Sequence, residues 1–268
     1  MTASFPLNRK HYPKLMLDTS LIIKALSLED VKVPVTVYIE GNIAAGKTEF
    51  LKHFLEKKNI IILPEPLDQW TNFNGQNLLK MKYEDAAKYE YLFQTLANAT
   101  KLNLLNEHCH KNGIKIIERS LQSGFNVFVQ NSKENYGMDD VTYEALKYNY
   151  ETMCTKNCLD MITCPDLYIY LQTSPRICYE RMRKRNRNEE KNVDLKYLEN
   201  LHTKYEEWLN RQDSEENAMC PILILNGNLD KEPMNDLIDR AITTILNIAK
   251  EKEVLKHLFL NFSTFFNQ

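Results

Sequence analysis

Residues 35–48 read Val35-Thr36-Val37-Tyr38-Ile39-Glu40-Gly41-Asn42-Ile43-Ala44-Ala45-Gly46-Lys47-Thr48. The first five are a short run of β-branched and aromatic side chains, the pattern of a buried strand. Gly41 to Thr48 then fits G-x-x-x-x-G-K-[ST], and an amphipathic stretch to Lys57 follows. Strand, glycine-rich loop and helix in that order make a phosphate cradle. The N–H groups of Gly41, Asn42, Ile43, Ala44, Ala45 and Gly46 and the start of the helix can bind phosphate oxygens. Lys47 adds a point charge, and the Thr48 hydroxyl can bind Mg²⁺. The segment predicts nucleotide binding and leaves the phosphate acceptor open.

The rest of the chain repeats the alternation. Further apolar runs are Ile60-Ile61-Ile62-Leu63, Ile114-Lys115-Ile116-Ile117, Leu167-Tyr168-Ile169-Tyr170-Leu171 and Ile222-Leu223-Ile224-Leu225. Between and after them lie helical patterns over about 84–112, 121–130, 143–156, 195–211 and 234–252, with another opened by Pro175. Five strands alternating with helices predict an α/β protein, a five-stranded parallel sheet flanked by helices on both faces. Residues 1–33 fall outside this pattern and are expected to be an N-terminal extension, partly helical. They hold one arginine, Arg9, besides Asp18, Glu29 and Asp30, unlike a transit peptide, so the cytoplasm is the expected compartment, with the mitochondrion as the alternative. Phe259, Phe262, Phe265 and Phe266 near the end suit either a packed helix or an oligomer contact.

Composition narrows the class. The 268 residues are 43% hydrophobic and 26% charged, ordinary for a globular chain and against disorder. The formal net charge of −2 lacks a general nucleic-acid footprint. No apolar run reaches the length of a membrane-spanning helix. The 6 cysteines contain no C-x-x-C pair and are expected to be reduced thiols. His108-Cys109-His110 is not read as a metal site, because adjacent helical residues point apart and no second ligand pair has zinc spacing.

The acceptor side is sought at the carboxyl ends of the strands, where parallel sheets bind ligands. The second strand ends in Glu65-Pro66-Leu67-Asp68-Gln69-Trp70, and the third in Glu118-Arg119-Ser120. A carboxylate at the first position can take a proton from a hydroxyl. A carboxylate and an arginine at the second can hold Mg²⁺ and clamp a reacting oxygen.

From about Val35 to Asn226 the chain resembles the deoxynucleoside kinases of the deoxycytidine, deoxyguanosine and mitochondrial thymidine kinase type, including the multisubstrate insect enzyme. The resemblance is carried by Ile39 to Thr48, Glu65-Pro66 with Trp70, Asn77-Leu78-Leu79 with Tyr83, and Phe93-Gln94. It continues through Glu118-Arg119-Ser120, Tyr170 to Pro175, Arg185 to Glu190, Tyr197 to His202, and Glu206 to Leu209. It implies the P-loop NTPase fold over residues 34–250, with residues 251–268 as a C-terminal tail, and transfer of phosphate from ATP to the 5′-hydroxyl of a deoxyribonucleoside. Glu65 would be the general base, and Arg119 would hold the 5′-oxygen with Lys47 on the phosphates. Thr48 and Glu118 would serve Mg²⁺. Gln94 would read the base between Phe93 and Phe128, with Trp70 and Ile43 nearby. Tyr83 and Glu190 would hold the 3′-hydroxyl, and Arg181, Arg185 and Arg187 would form a lid over the phosphates. A homodimer through helices 84–112 and 143–156, and feedback inhibition by a deoxynucleoside triphosphate, are also implied.

The chain departs from the pattern at the base pocket. Ala97 and Lys101 stand where pyrimidine-preferring relatives have Val and Met. The deoxycytidine and deoxyguanosine enzymes have an Arg at the Lys101 position and pair it with an Asp where this chain has Gly124, so the resemblance leaves Lys101 a cation solvated or paired elsewhere. The small Ala97 and Gly124 predict a roomier pocket and broad specificity with purine tolerance. Lys82 replaces a usual Met, and Asp194 a usual Pro. Two rivals remain: a nucleoside monophosphate kinase of the thymidylate kinase kind, kept open by Lys82 and Lys101, and a catalytically silent accessory subunit on the same fold.

Overall fold

The computed structural model describes residues 27–108, 112–155, 165–210, 220–228 and 234–265, with side chains through 154 in the second stretch and through 256 in the last. Five strands carry the architecture: β1 Val35–Glu40, β2 Ile60–Leu63, β3 Ile114–Glu118, β4 Leu167–Gln172 and β5 Ile222–Asn226. They form one sheet in the order β2-β3-β1-β4-β5, parallel throughout. All five expected strands are present. β1, β3, β4 and β5 each run one residue past the apolar segment, onto Glu40, Glu118, Gln172 and Asn226.

The two-residue period of a strand divides the core in two. On one face Val35, Val37 and Ile39 of β1 join Ile114, Ile116, Leu167 and Ile169. They pack on Phe50 of α1 (Lys47–Lys52), on Phe54 just beyond it, and on Leu237, Ala241 and Ile245 of α10 (Met234–Phe265). On the other face Tyr38, Ile117, Tyr168 and Tyr170 meet Val127 and Phe128. Against them lie Cys178 and Met182 of α8 (Pro175–Arg185), and Leu198, Leu201 and Tyr205 of α9 (Leu195–Leu209). Val31 and Val33 are buried in the first cluster, so the last residues of the expected N-terminal extension belong to the core. Residues 1–26 lie outside the described set. The division at residue 250 falls within α10, and Phe259, Phe262 and Phe265 are beyond the described side chains.

The pattern expected over about 84–112 is α4 Ala86–His108, and the short α2 Leu67–Thr71 and α3 Leu78–Glu84 before it were not expected. The chain breaks at Asp85, φ −151° and ψ 86°. The Asp85 carboxylate then accepts from Lys88 N–H at 3.1 Å, as an N-cap does. The pattern at 121–130 is α5 Leu121–Ser123, a π-helical segment Gly124–Val129, then α6 Gln130–Asn135. Such segments collect at functional sites. Helix α7 spans Asp140–Thr155.

The buried face of α4 is Glu90, Phe93, Gln94, Ala97, Thr100, Lys101 and Leu105, at helical spacing but half polar. Helix α4 therefore presents polar groups inward, towards a cleft at the carboxyl ends of β1, β2 and β3. Among the described residues no helix is long and apolar enough to cross a membrane, and no cluster of His, Cys, Asp and Glu could hold a metal ion. Cys109 and His110 lie outside the described residues. Cys154, Cys178 and Cys220 are thiols.

Candidate active site

The loop after β1 is held by its own chemistry. Gly41 adopts φ +145°, and a Cβ there would stand 2.8 Å from the Leu171 carbonyl oxygen. Gly46, at φ +105°, starts α1. Asn42 donates from Nδ2 to Leu198 O at 2.8 Å and accepts from Ile43 N–H at 2.8 Å. Thr173 Oγ1 donates to Ala45 O at 3.1 Å. Lys47 is buried, with Nζ donating to Gly41 O at 3.0 Å and Asn42 O at 2.8 Å. Burial, with Arg119 nearby, pushes the Lys47 ammonium down to about 7, against the opposing pull of Glu118, Glu65 and Glu40.

The ends of β2 and β3 meet at Arg119. Its backbone is left-handed, φ 56°, a conformation costly for a side-chain-bearing residue. That turn aims the guanidinium inward. Nη1 donates to Glu65 Oε2 at 3.0 Å, Nη2 to Gly41 O at 3.0 Å, and Nε to Tyr205 Oη at 3.2 Å. Glu65 faces a second cation, Lys101 Nζ, 3.7 Å from Oε1. Burial raises the Glu65 carboxyl, but Arg119, Lys101 and Lys47 together hold it below the ordinary carboxylate value. Lys101 is thus paired with Glu65, which answers what it does without an Asp at 124. Burial pushes the Lys101 ammonium down. Thr48 Oγ1 donates to Glu118 Oε1 at 3.1 Å, so these two oxygen groups stand together beside Lys47.

These groups line one cleft of about 410 Å³. Of the predicted site residues, Gly41 and Asn42 stand behind it as loop supports, and every other one lines it. Phe93 and Trp70 meet edge to face at 5.5 Å, and Trp70 Nε1 donates to Thr100 Oγ1 at 2.9 Å. Phe128 lies under Arg119, 5.2 Å from its guanidinium carbon. Tyr83 packs edge-on to Tyr197 at 5.9 Å, and burial raises its phenol. Arg185 Nη2 donates to both Glu190 oxygens at 2.7 and 2.9 Å, and Arg187 lies 3.8 Å from Glu190. Arg181 Nη1 donates to Gly227 O at 2.8 Å and Ala45 O at 3.3 Å, at the edge of the loop.

Sequence reasoning missed a layer behind Gln94. Glu90 and Lys82 are 0% and 1% exposed. Glu90 Oε1 accepts from Gln94 Nε2 at 2.8 Å and Oε2 from Ser132 Oγ at 2.9 Å. Lys82 Nζ lies 3.7 Å from Glu90 Oε2 and donates to Tyr197 Oη at 2.8 Å. Its ammonium also faces the rings of Tyr83 at 4.6 Å and Phe128 at 4.9 Å. Glu40, fully buried, accepts from Ser120 N–H at 2.8 Å and Ser120 Oγ at 2.6 Å. The i,i+4 spacing of Glu90 and Gln94 on α4 is a local signal, but Lys82 and Ser132, the partners that bury Glu90, lie on other elements.

The model of a family described as deoxynucleoside kinase matches residues 37–247. The chain is 33% identical over 218 residues to mitochondrial thymidine kinase 2 of Homo sapiens, covering 81% of this chain and 79% of that one. It is 34% identical over 221 residues to deoxycytidine kinase 2 of Gallus gallus, covering 72% and 82%. It is 31% identical over 236 residues to deoxycytidine kinase of Homo sapiens, covering 76% and 88%.

The Lys82–Glu90 pair sets a test of stability. Lys82→Met leaves Glu90 a buried carboxylate without its cation and is expected to cost about 3–5 kcal/mol in urea unfolding. Lys82→Met with Glu90→Gln removes both charges and is expected to recover most of that loss. A single variant as stable as the wild type contradicts the pairing.

Proposed function

This chain belongs to the deoxynucleoside kinase family, and from that premise we propose that it transfers phosphate from ATP to the 5′-hydroxyl of deoxyribonucleosides of broad base size, purines included. The observation that carries the reading is the Glu65 carboxylate held between Arg119 and Lys101, within one cleft with the Lys47 loop.

A nucleoside enters with its base between Phe93 and Phe128 and its edge against Gln94. Tyr83 and Glu190 take the 3′-hydroxyl, and their packing leaves little room for a ribose 2′-hydroxyl. The 5′-hydroxyl then faces Glu65. An alcohol is a poor nucleophile, and Glu65, kept ionised by its cations, accepts its proton. Arg119 fixes the hydroxyl oxygen and the neighbouring phosphate. Lys47 and the loop N–H groups hold the donor phosphates, and Arg181, Arg185 and Arg187 close over them. Phosphoryl transfer needs positioning and charge stabilisation more than covalent help, and these cations supply both. Thr48 and Glu118 offer the oxygen ligands Mg²⁺ prefers. Bound there, Mg²⁺ would neutralise charge on the transferring phosphates.

Base size is set by Ala97 and Gly124, both small and both lining the cleft. The monophosphate-kinase reading loses its support, because Lys82 and Lys101 are each spent on a carboxylate, Glu90 and Glu65. A deoxynucleoside triphosphate fits the same cleft as a feedback inhibitor, its base on Gln94 and its phosphates on the loop.

A homodimer through α4 and α7 belongs to the same proposal. Tyr91 and Leu92 of α4 and Val141 and Tyr148 of α7 are large apolar side chains 43–80% exposed, and exposed apolar groups gathered on adjacent helices mark an interface. Sedimentation equilibrium should give twice the chain mass for the wild type and the chain mass for Leu92→Glu with Tyr148→Glu. A monomeric wild type contradicts it.

Steady-state kinetics with Mg-ATP and the natural deoxynucleosides, with adenosine and uridine as ribose controls, tests the activity. Glu65→Gln should lower kcat by about 10²–10⁴ while ATP binding is kept. Full-rate turnover by that variant removes the base assignment, and no turnover of any deoxynucleoside by the wild type removes the reading.

A further inference from the structure

The layer behind Gln94 decides which way its amide points. A carboxylate accepts hydrogen bonds and donates none. Glu90 Oε1, 2.8 Å from Gln94 Nε2, therefore admits one orientation of that amide, with the NH₂ group towards Glu90. The amide oxygen faces the other way, towards Gly124, where a Cβ would stand 3.3 Å from Oε1. Glu90 cannot turn aside, because Ser132 and Lys82 hold its other oxygen, and Tyr197 holds Lys82. Turning the amide over would set its oxygen against the buried Glu90 carboxylate.

This fixes an acceptor and a donor in order along the edge a base would meet. Gly124 lies on the segment between Arg119 and Phe128, which meet at 5.2 Å, and in the kinase reading Arg119 holds the 5′-hydroxyl, so this is the C5′ side. The Glu90 side adjoins Lys82 and Tyr83, the side of the 3′-hydroxyl. In an anti nucleoside, the base edge carrying N4, N6, O4 or O6 lies on the side of C5′. That exocyclic group meets Gln94 Oε1, and the adjacent ring nitrogen meets Nε2. Cytosine and adenine present an amino donor and a ring acceptor there. Thymine and guanine present the reverse, with a carbonyl against the amide oxygen.

We propose that Glu90, held by Lys82 and Ser132, is a positioning residue that locks the Gln94 amide with its oxygen towards Gly124, so that the site selects bases with an exocyclic amino group. The inference rests on the kinase reading above and refines it: the pocket is tolerant of base size and selective for base edge. Deoxycytidine and deoxyadenosine are the favoured substrate class.

Matched pairs isolate the edge from base size. Deoxycytidine and deoxyuridine differ at the 4-position, and deoxyadenosine and deoxyinosine at the 6-position, with the ring N–H following. Wild-type kcat/KM should favour the amino member of each pair by about tenfold or more, the scale of a mismatched bidentate contact. In Lys82→Met with Glu90→Gln neither side of that pair leaves a buried charge without its partner, and an amide at 90 both donates and accepts. Gln94 is then free to turn, and each ratio should fall to within about threefold. A wild type that favours the keto members overturns the proposal. So does a double variant that keeps the wild-type ratios, or loses activity equally on all four, because a merely structural role would do that. Titration calorimetry with the same four nucleosides reads the ratio without turnover. A protein that phosphorylates nothing but binds the amino members more tightly upholds the lock while removing the kinase reading, and one that turns over all four equally removes the lock alone.

Discussion

Arg119 ties the carboxyl ends of three adjacent parallel strands together. Its guanidinium, at the end of β3, binds the Gly41 carbonyl after β1 and the Glu65 carboxylate after β2, and leans on Tyr205 of α9. The left-handed backbone at Arg119 is costly, and these three contacts help offset it. The loop, the acid group and the helix wall are thereby set at fixed distances from one another. A site on strand ends is stiffer than one on loops, and in-line transfer between two bound substrates needs that stiffness.

Four buried cations, Lys47, Lys82, Lys101 and Arg119, line the cleft with the carboxylates Glu65, Glu118 and Glu190, and Glu40 and Glu90 lie buried behind it. Burial of any one alone would be costly. Lys101 and Arg119 share Glu65, and Lys82 takes Glu90. Lys47 rests on two backbone carbonyls, and burial pushes it down to about 7. Of the four it is the cation whose partners are uncharged, which suits it to meet an anion.

The fold was legible because strands buried on both faces read as unbroken apolar runs. What the runs could not reveal is where each strand stops. Four of the five end one residue later than the apolar segment, and that residue is polar: Glu40, Glu118, Gln172 and Asn226. Helix α3 was missed because Leu78–Glu84 is two turns, too short to show a helical period. The cradle and the carboxylate–arginine pair could be picked out, since motif and strand-end position coincide. Lys82, Glu90 and Ser132 could not, because Lys82 and Ser132 stand 8 and 42 residues from Glu90 on different helices and meet it only through folding of α3, α4 and α6. Lys101 was noticed as a cation missing its partner, and the partner turned out to be Glu65.

The claim at the centre is that Glu65 acts as an ionised base whose proton affinity is set by Arg119 and Lys101. The pH dependence of kcat/KM in the wild type and in Lys101→Met tests it most directly. Removing Lys101 takes away one of the charges that lower the Glu65 carboxyl and leaves burial, which raises it, less opposed. Activity lost as pH falls should therefore be lost at higher pH in Lys101→Met than in the wild type. An acid limb that stays where it was, whatever the variant does to the rate itself, would contradict the account.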